Sequence, residues 1–312
     1  MAKFVPDVTT NRWVVIAEGR LKRPHEPGEA NPPAHSGSEP SGSKTGGPKV
    51  CIFCPGNENP PGGGPGEEVY RIGTGNAYEP GWEVRVIKNK YPITDFHEVI
   101  IHSPDHEKDI DKLPLEQIHK ILLTFRDRYN FHSKNGHVMI FDNVGENAGA
   151  SIHHPHSQLV VVPKQINIDS LALEPVLNVV EDNHHFVVFC PEFSQWPFEV
   201  WIAPKKRDEF FGQISAEAID DLAAVLKNTL RRLITHLSKE EENQCHFHPG
   251  VPEVTFSGGP AYNFYIHHGK DWYIRIIPRL IHRAGFELGT GLSVNIVDPA
   301  DAAEVLREEK IG

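Results

Sequence analysis

The chain has 312 residues, 39% of them hydrophobic, and a formal net charge of −11 at pH 7. That length is enough for one large domain or for two of about 150 residues, with a substantial core. The negative charge argues against a general binder of nucleic acid or of anionic membranes. We expect a cytoplasmic protein, because no stretch approaches the roughly 18 consecutive apolar residues of a membrane span and the first residues lack the apolar core of a signal peptide.

The predicted elements of the first half begin with a strand over residues 7–16, which ends in a β-branched run. Loops are predicted at 24–48 and 55–66, where Gly, Pro and Ser dominate the composition. Apolar residues at helical spacing predict a helix over 115–132. Further strands are predicted over 82–87, 97–103 and 137–143 and within the segment HHPHSQLVVVP.

The second half repeats this order of strands and helix. Its predicted elements are strands over 184–190 and 198–204, a helix over 216–237, and strands over 262–268 and 272–278. Ser215 is a suitable N-cap for the helix, and Val305 and Leu306 indicate a short C-terminal helix. We therefore predict an internal duplication of roughly 100 residues, which makes an α+β protein from two fused copies of one unit.

The segment from Asn143 to Gln158 combines two features that suit phosphate chemistry. A glycine-bearing turn after a strand exposes backbone N–H groups that can cradle phosphate oxygens. The spacing His154-x-His156-x-Gln158 places three side chains on one face if the segment enters a strand. An imidazole in such a row can attack phosphorus, and a neutral amide can donate hydrogen bonds to phosphoryl oxygens. A lone HxH is most often the polar face of an ordinary strand, but the adjacent turn favours the phosphate interpretation.

Two of the four cysteines, Cys51 and Cys54, form a CxxC pair. In a reducing compartment this spacing indicates metal or redox chemistry more than a structural disulfide. Taken alone, the pair leaves open a second interpretation, two reduced and buried thiols.

Several motifs together resemble one family. The chain resembles galactose-1-phosphate uridylyltransferases, the nucleotidyltransferase branch of the histidine-triad superfamily, in its GxxxGAS…HPHxQ segment, its CxxC, its SPDH segment ending at His106 and its NRWVVI segment. The resemblance runs from Asp7 to the segment 285–291. It implies an α+β fold of two fused histidine-triad-like units, an antiparallel sheet with helices packed on it. The first unit, residues 1–180, would carry the zinc and the HPHxQ motif, and the second, 181–312, would be non-catalytic.

The resemblance implies two catalytic residues and one structural zinc ion. His156 matches the nucleophile that attacks the α-phosphorus, and Gln158 matches the residue that hydrogen-bonds the transferred phosphoryl group. Two thiolates and two imidazoles make a closed tetrahedral site without an open position. The implied ligands are Cys51, Cys54, His106 and His154. No second metal is expected, because Tyr273 and Arg275 occupy the positions that match a second His-x-His pair.

The resemblance also implies a substrate site that is completed in a homodimer. Arg20 and Arg23 match basic residues that reach phosphates across the dimer interface. Phe286 and Glu287 match a hexose-binding pair, with Phe in place of a common Tyr. The other implied substrate contacts are Asn89, Asn143, Gly149 and Ser151.

On this resemblance we expect a UDP-glucose:hexose-1-phosphate uridylyltransferase of galactose metabolism, which works by ping-pong kinetics through a covalent uridylyl-histidine. Its partners would be a nucleotide sugar and a hexose 1-phosphate, with no nucleic acid and no membrane. The nearest alternative is an ADP-glucose phosphorylase, which transfers AMP to phosphate and shares the GFELGTG-like ending and the lack of a second metal. Alternatives from other classes are a nucleotide-sugar-binding protein without turnover and a nucleotide hydrolase, and the pair His156 and Gln158 speaks against both.

Overall fold

The computed structural model of the protein is an α+β fold built on one large antiparallel sheet. It describes residues 2–7, 12–22, 51–59, 64–168, 171, 173–242 and 259–311. Within these ranges no helix is both long enough and apolar enough to cross a membrane.

In the described part of the chain, ten strands form the large sheet and two form a separate hairpin. The hairpin pairs β1 (Lys3–Asp7) with β2 (Arg12–Ile16). The first half of the sheet contains β3 (Glu68–Gly73), β4 (Trp82–Lys88), β5 (His97–Ile101), β6 (His137–Val144) and β7 (His156–Val162). The second half contains β8 (Val179–Asp182), β9 (Phe186–Phe189), β10 (Val200–Pro204), β11 (Tyr262–Ile266) and β12 (Ile274–Pro278).

Both halves of the sheet have the same internal order. Read from its outer edge, the first half runs β3-β4-β5-β7-β6 and the second runs β8-β9-β10-β12-β11. The central pair, β6 and β11, is antiparallel with Asn143 opposite Asn263, so the halves share one continuous sheet. The division of the chain into domains at residue 180 stays a prediction; that position falls within β8, which pairs only with the second half in the described sheet.

The helices α1 (Leu115–His132), α2 (Ala216–Glu242) and α4 (Pro299–Glu308) pack on one face of the sheet, over the main hydrophobic core. In α1 the fully buried Ile118, Leu122 and Phe125 recur every three or four residues, which turns one face of the helix toward the sheet. The hydroxyl of Ser215 accepts a hydrogen bond from the Ala218 N–H over 3.1 Å, which confirms it as the cap of α2. A short helix, α3 (Gly285–Thr290), is exposed.

Most of the predicted elements are confirmed, and the helix over 115–132 has the predicted bounds. The expectation of a single strand over 7–16 is wrong, because its described residues belong to two strands that pair with each other. Among the strands and α-helices of the described residues, β3, β8 and α3 were not predicted, and β1 overlaps the predicted strand only at Asp7.

Two buried ion pairs brace the halves. Glu98 on β5 accepts two hydrogen bonds from the guanidinium of Arg128 on α1, at 2.9 and 2.5 Å. Glu199, beside β10, accepts two from Arg275 on β12, at 2.7 and 2.8 Å. Arg275 is one of the two residues that the resemblance matches to a second His-x-His pair, and its guanidinium ties β12 to the start of β10. The expected lack of a second metal itself stays a prediction.

Replacement of Arg275 by Met should lower the free energy of unfolding by about 3–5 kcal/mol, because it leaves the Glu199 carboxylate buried without its cation. Urea unfolding measures this cost. The matched control is Lys88→Met in the exposed pair of Lys88 with Glu67, whose side chains are 59% and 58% exposed and should contribute about 0–1 kcal/mol. An equal loss of unfolding free energy in the two variants would contradict the stabilising role of the buried pair of Glu199 with Arg275.

Candidate active site

Strand β7 presents the predicted catalytic motif, His156 and Gln158, on the face of the sheet opposite the helices. Leu159 and Val161 belong to the core under α1 and α2. Because strand side chains alternate, His156 and Gln158 point to the other face. The strand is paired on both sides, with β5 and with β6, so its backbone is held at both edges.

The four implied metal ligands lie together beside the start of this strand. The Cys54 sulfur is 3.4 Å from Nδ1 of His106 and 3.6 Å from Nδ1 of His154. The Cys51 sulfur is 3.7 Å from Nδ1 of His154, and all four ligand atoms lie within 4.8 Å of one another. Bonds of about 2.3 Å to sulfur and 2.0 Å to nitrogen around a tetrahedral ion would put neighbouring ligand atoms about 3.5 Å apart. The donor set and its spacing therefore fit a metal ion.

The protonation of the cluster also suits a metal. Nε2 of His154 donates a hydrogen bond to the Ser103 carbonyl over 2.9 Å, which leaves the lone pair of Nδ1 facing the sulfurs. Burial lowers the pKa of His154 to about 4, so this imidazole is neutral at pH 7. Burial raises the pKa of the Cys51 thiol to about 11. A thiolate at Cys51 therefore needs a cation beside it, which a bound metal would supply.

The CxxC loop is anchored to the sheet and touches the predicted nucleophile. Glu58, which is 2% exposed, accepts hydrogen bonds from the indole N–H of Trp82 and the backbone N–H of Gly56, both over 2.7 Å. Phe53, between the two cysteines, packs edge-on against the ring of His156 with 5.2 Å between ring centroids. Packing thus connects the metal-ligand cluster directly to His156.

The imidazole of His156 is held in one tautomer. Its Nδ1 donates to the carbonyl oxygen of His154 over 2.9 Å, so the proton lies on Nδ1 and the lone pair on Nε2. The residue is 8% exposed. This geometry suits Nε2 as a nucleophile, because the Nδ1–H···O bond stabilises the positive charge that the ring gains when Nε2 attacks.

Two cavities meet at His156. The smaller one, of about 180 Å³, has apolar walls and a polar end. Its apolar walls include Ile52, Phe53, Ile87, Val99 and Ile152, and its polar groups include Asn89, Ser151 and Gln158. The larger one, of about 500 Å³, is lined by Asn143 at the end of β6 and by the turn that follows, including Gly145 and Ser151. Together they are in the usual range of small-molecule sites, about 300–1,000 Å³.

The turn after β6 is held in shape by the second half of the sheet. Gly149 has a φ of +81°, a left-handed conformation that glycine adopts without steric cost. The side-chain amide of Asn263 on β11 donates to the Asn143 side chain over 2.7 Å and to the Ala148 carbonyl over 2.9 Å. No sequence motif contains Asn263, although a polar residue at an outward position of a predicted strand is a usable signal.

A buried polar cluster supports the motif from the helix side. Ser157, between His156 and Gln158 in the chain, donates to Asp142 over 2.8 Å and lies 2.7 Å from Nε2 of His102. Burial raises the pKa of Asp142 to about 7. The cluster ties the adjoining ends of β5, β6 and β7 together directly beneath the catalytic motif.

The remaining implied substrate residues are more scattered. Arg20 donates to the carbonyl of Tyr91 over 2.9 Å, and Tyr91 lines the smaller cavity, so Arg20 approaches this cavity within its own chain. Arg23 lies outside the described residues. Phe286 is 56% exposed and Glu287 caps the start of α3. Neither of these two lines the cavities that meet at His156.

Stability should fall in acid because His154 must stay neutral in the folded chain. Its folded pKa of about 4 lies below the ordinary value of 6.5, so between these values the unfolded chain binds a proton that the folded chain does not. The contribution is complete above pH 6.5 and is lost as the pH falls toward 4; its size is on the order of 3 kcal/mol. A bound metal needs the same neutral imidazole and acts in the same direction. Urea unfolding across this pH window measures the effect.

The matched comparison is His154→Asn against His153→Asn, since His153 is the exposed neighbour with 64% of its side chain accessible. We expect His154→Asn to flatten the loss of stability in acid and His153→Asn to leave it unchanged. An equally steep fall of unfolding free energy with falling pH in both variants would refute the assignment of this acid sensitivity to His154.

Known proteins share this fold and this site segment. The family model described as galactose-1-phosphate uridyl transferase, N-terminal domain, matches residues 96–162. An ADP-glucose phosphorylase from Arabidopsis thaliana is 29% identical over 97% of this chain and 91% of its own. A galactose-1-phosphate uridylyltransferase from Thermotoga maritima is 25% identical over 97% of this chain and 96% of its own. The crystal structure of an A. thaliana ADP-glucose phosphorylase with bound ADP-glucose has a TM-score of 0.67 at 25% identity, with 100% of both chains covered.

The match at 96–162 covers β5, β6 and β7, the strands that carry the candidate active site. The relatives of both names extend over nearly the whole chain and both of its halves. The chain is therefore similar to galactose-1-phosphate uridylyltransferases and to an ADP-glucose phosphorylase over nearly its whole length, and these likenesses support a nucleotidyltransferase.

Proposed function

We propose that the protein transfers a nucleotidyl group from a nucleotide sugar through a covalent bond to His156. The observation that carries this proposal is the held tautomer of His156, whose lone pair is on Nε2 and whose side chain lines both cavities. A nucleophile between two cavities suits a substrate with a nucleoside on one side of the reacting phosphorus and a sugar phosphate on the other.

In the first step, Nε2 of His156 forms a bond to the α-phosphorus, and the bond from that phosphorus to the bridging oxygen of the β-phosphate breaks. The electron pair leaves with the sugar 1-phosphate. The ring then carries a positive charge, which the His154 carbonyl stabilises through Nδ1–H. The neutral amide of Gln158 donates to the phosphoryl oxygens, whose charge must be spread in the transition state.

In the second step, an oxygen of an acceptor phosphate attacks the same phosphorus and the electron pair of the P–N bond returns to Nε2. The first product has left by then, so the kinetics are ping-pong. The apolar walls of the smaller cavity suit the flat face of a base. The backbone N–H groups of the turn at 145–151 suit the phosphates.

For the substrates we favour ADP-glucose and inorganic phosphate, the reaction of an ADP-glucose phosphorylase. Support comes from the A. thaliana relative, which is similar over nearly the full length. The segment GFELGTG at 285–291 and the residues Tyr273 and Arg275 point in the same direction. UDP-glucose with a hexose 1-phosphate, the pair expected from the sequence, is the second candidate, supported by the T. maritima relative, which also matches 97% of this chain.

Zinc is the ion we propose for the cluster of Cys51, Cys54, His106 and His154, because two thiols and two imidazoles at tetrahedral spacing are the donor set of structural zinc. With four protein ligands no position stays open for a substrate. Its task would be to hold the CxxC loop, and with it Phe53, against His156.

A homodimer is the assembly we propose, because the hairpin and the segment around α3 both expose apolar side chains. On the hairpin, Val14 is 57% and Ile16 is 40% exposed. On and after α3, Leu288 is 75% and Leu292 is 61% exposed. Large exposed apolar side chains that cluster on a surface are typical of an interface. Closure of this surface by a second copy is also the route by which Phe286 could contribute to a site that it does not reach in its own chain.

A test of the transfer uses ADP-glucose and UDP-glucose, each with a radiolabelled α-phosphate. The expected result is a labelled protein from ADP-glucose, from which inorganic phosphate releases ADP. His156→Ala should abolish the labelling, a loss of at least about 10³-fold in rate, because no other group replaces the nucleophile. His184→Asn is the control, since His184 is exposed and lines neither of the two cavities, and it should label like the wild type.

Each other outcome has a definite meaning. A labelled His156→Ala variant would overturn the nucleophile. Label from UDP-glucose that is discharged by galactose 1-phosphate would select the second candidate. Binding of both nucleotide sugars without any label would favour a binding protein without turnover.

Metal analysis of freshly purified protein should find one zinc ion per chain. Cys54→Ser should lose most of it, since a hydroxyl is a poor replacement for a thiolate ligand. Cys190→Ala is the matched control, because Cys190 is a fully buried cysteine in the core, and it should keep the full complement. Wild-type protein without zinc, or equal zinc in both variants, would remove the proposal.

A further inference from the structure

His97 begins β5, next to the strand that carries the catalytic motif. It is 3% exposed, and it lines neither of the cavities that meet at His156. In the pairing of β5 with β7, Val99 is opposite Gln158, so His97 lies two residues away on the same face. Its imidazole still reaches the motif, because Nε2 of His97 is 3.0 Å from Oε1 of Gln158.

The backbone determines which nitrogen of His97 carries the proton. The Ile93 N–H donates to Nδ1 over 2.9 Å, so the proton of the neutral ring lies on Nε2. Asn89 Nδ2 is 3.1 Å from Nε2, but the Asn89 oxygen accepts from the Tyr91 N–H over 2.8 Å, which leaves Nδ2 as a donor. Of these two neighbouring amides, therefore, only Gln158 offers an acceptor to Nε2–H.

A glutamine amide can present either its oxygen or its NH₂ group to a ligand after a half turn about its last bond. The oxygen would repel the anionic phosphoryl oxygens, whereas the NH₂ group donates hydrogen bonds to them. We propose that His97 is a positioning residue that holds the oxygen of Gln158 against β5 and so turns its NH₂ group toward the phosphoryl group transferred at His156. This inference rests on the proposed function, and it assigns to His97 an effect that acts entirely through Gln158.

The test is a double-mutant cycle on the nucleotidylation of His156, with whichever of ADP-glucose and UDP-glucose labels the wild type. The variants are His97→Leu, His97→Gln, Gln158→Ala and the double variant His97→Leu/Gln158→Ala. His97→Gln keeps an N–H donor near the position of Nε2, whereas His97→Leu removes it. His132→Leu is the control for the loss of a buried histidine, since His132 is 4% exposed and contacts Glu98 instead of the motif.

We expect His97→Leu to lower kcat by about 10- to 100-fold with less than about a threefold change in KM, because the lost interaction matters in the transition state. His97→Gln should recover most of the rate. In the Gln158→Ala background, His97→Leu should lower the rate by less than about twofold, since the amide it orients is gone. His132→Leu should leave kcat unchanged even if it lowers the melting temperature.

Equal losses from His97→Leu in the two backgrounds would overturn the proposal, as would a raised KM with an unchanged kcat. Should His97→Leu not fold, His97→Asn takes its place in the same cycle, because its amide is too short to reach the Gln158 oxygen. Wild-type protein that forms no nucleotidyl-histidine with either sugar would overturn the proposed function together with this inference. Labelled wild type with an additive cycle would overturn the role of His97 alone.

Discussion

The candidate site depends on one hydrogen bond, from Nδ1 of His156 to the backbone carbonyl of His154. This bond joins the predicted nucleophile to a predicted metal ligand. The His154 ring is held by the Ser103 carbonyl on one side and faces the cysteine sulfurs on the other. An ion in that cluster would therefore act on the nucleophile only through the fold. An ion that positions the nucleophile without contacting the substrate suits phosphoryl transfer, in which positioning and electrostatics supply most of the catalysis.

The second half of the chain contributes to the site through the shared sheet. Because β6 and β11 are paired, Asn263 lies opposite Asn143 and holds the turn that lines the larger cavity. The buried pair of Glu199 with Arg275 braces β10 and β12 behind that contact. The half without the HPHxQ motif thus supports the turn beside the candidate site, which gives a physical reason for keeping both halves in one sheet.

Elements with one buried face were predictable from the sequence, because their apolar residues recur at a regular spacing. In α1, for example, they recur every three or four positions. The sequence pattern missed β3 and β8, which are the two edges of the large sheet. Each has one neighbour and mixed exposure, so alternation is weak there. In the candidate site, the residues of the HPHxQ motif were predicted from their local spacing and the family resemblance. Asn263 and His97 were not, because their contacts depend on pairing between strands far apart in sequence.

The most direct test of the tautomer at His156 is the identity of the nitrogen that becomes modified. In nucleotidylated protein labelled with ¹⁵N-histidine, the coupling between ³¹P and the ring nitrogens distinguishes Nε2 from Nδ1. The held Nδ1–H predicts a phosphorus bonded to Nε2 of His156. A phosphorus on Nδ1, or on any other histidine of the chain, would contradict the arrangement on which the proposed mechanism depends.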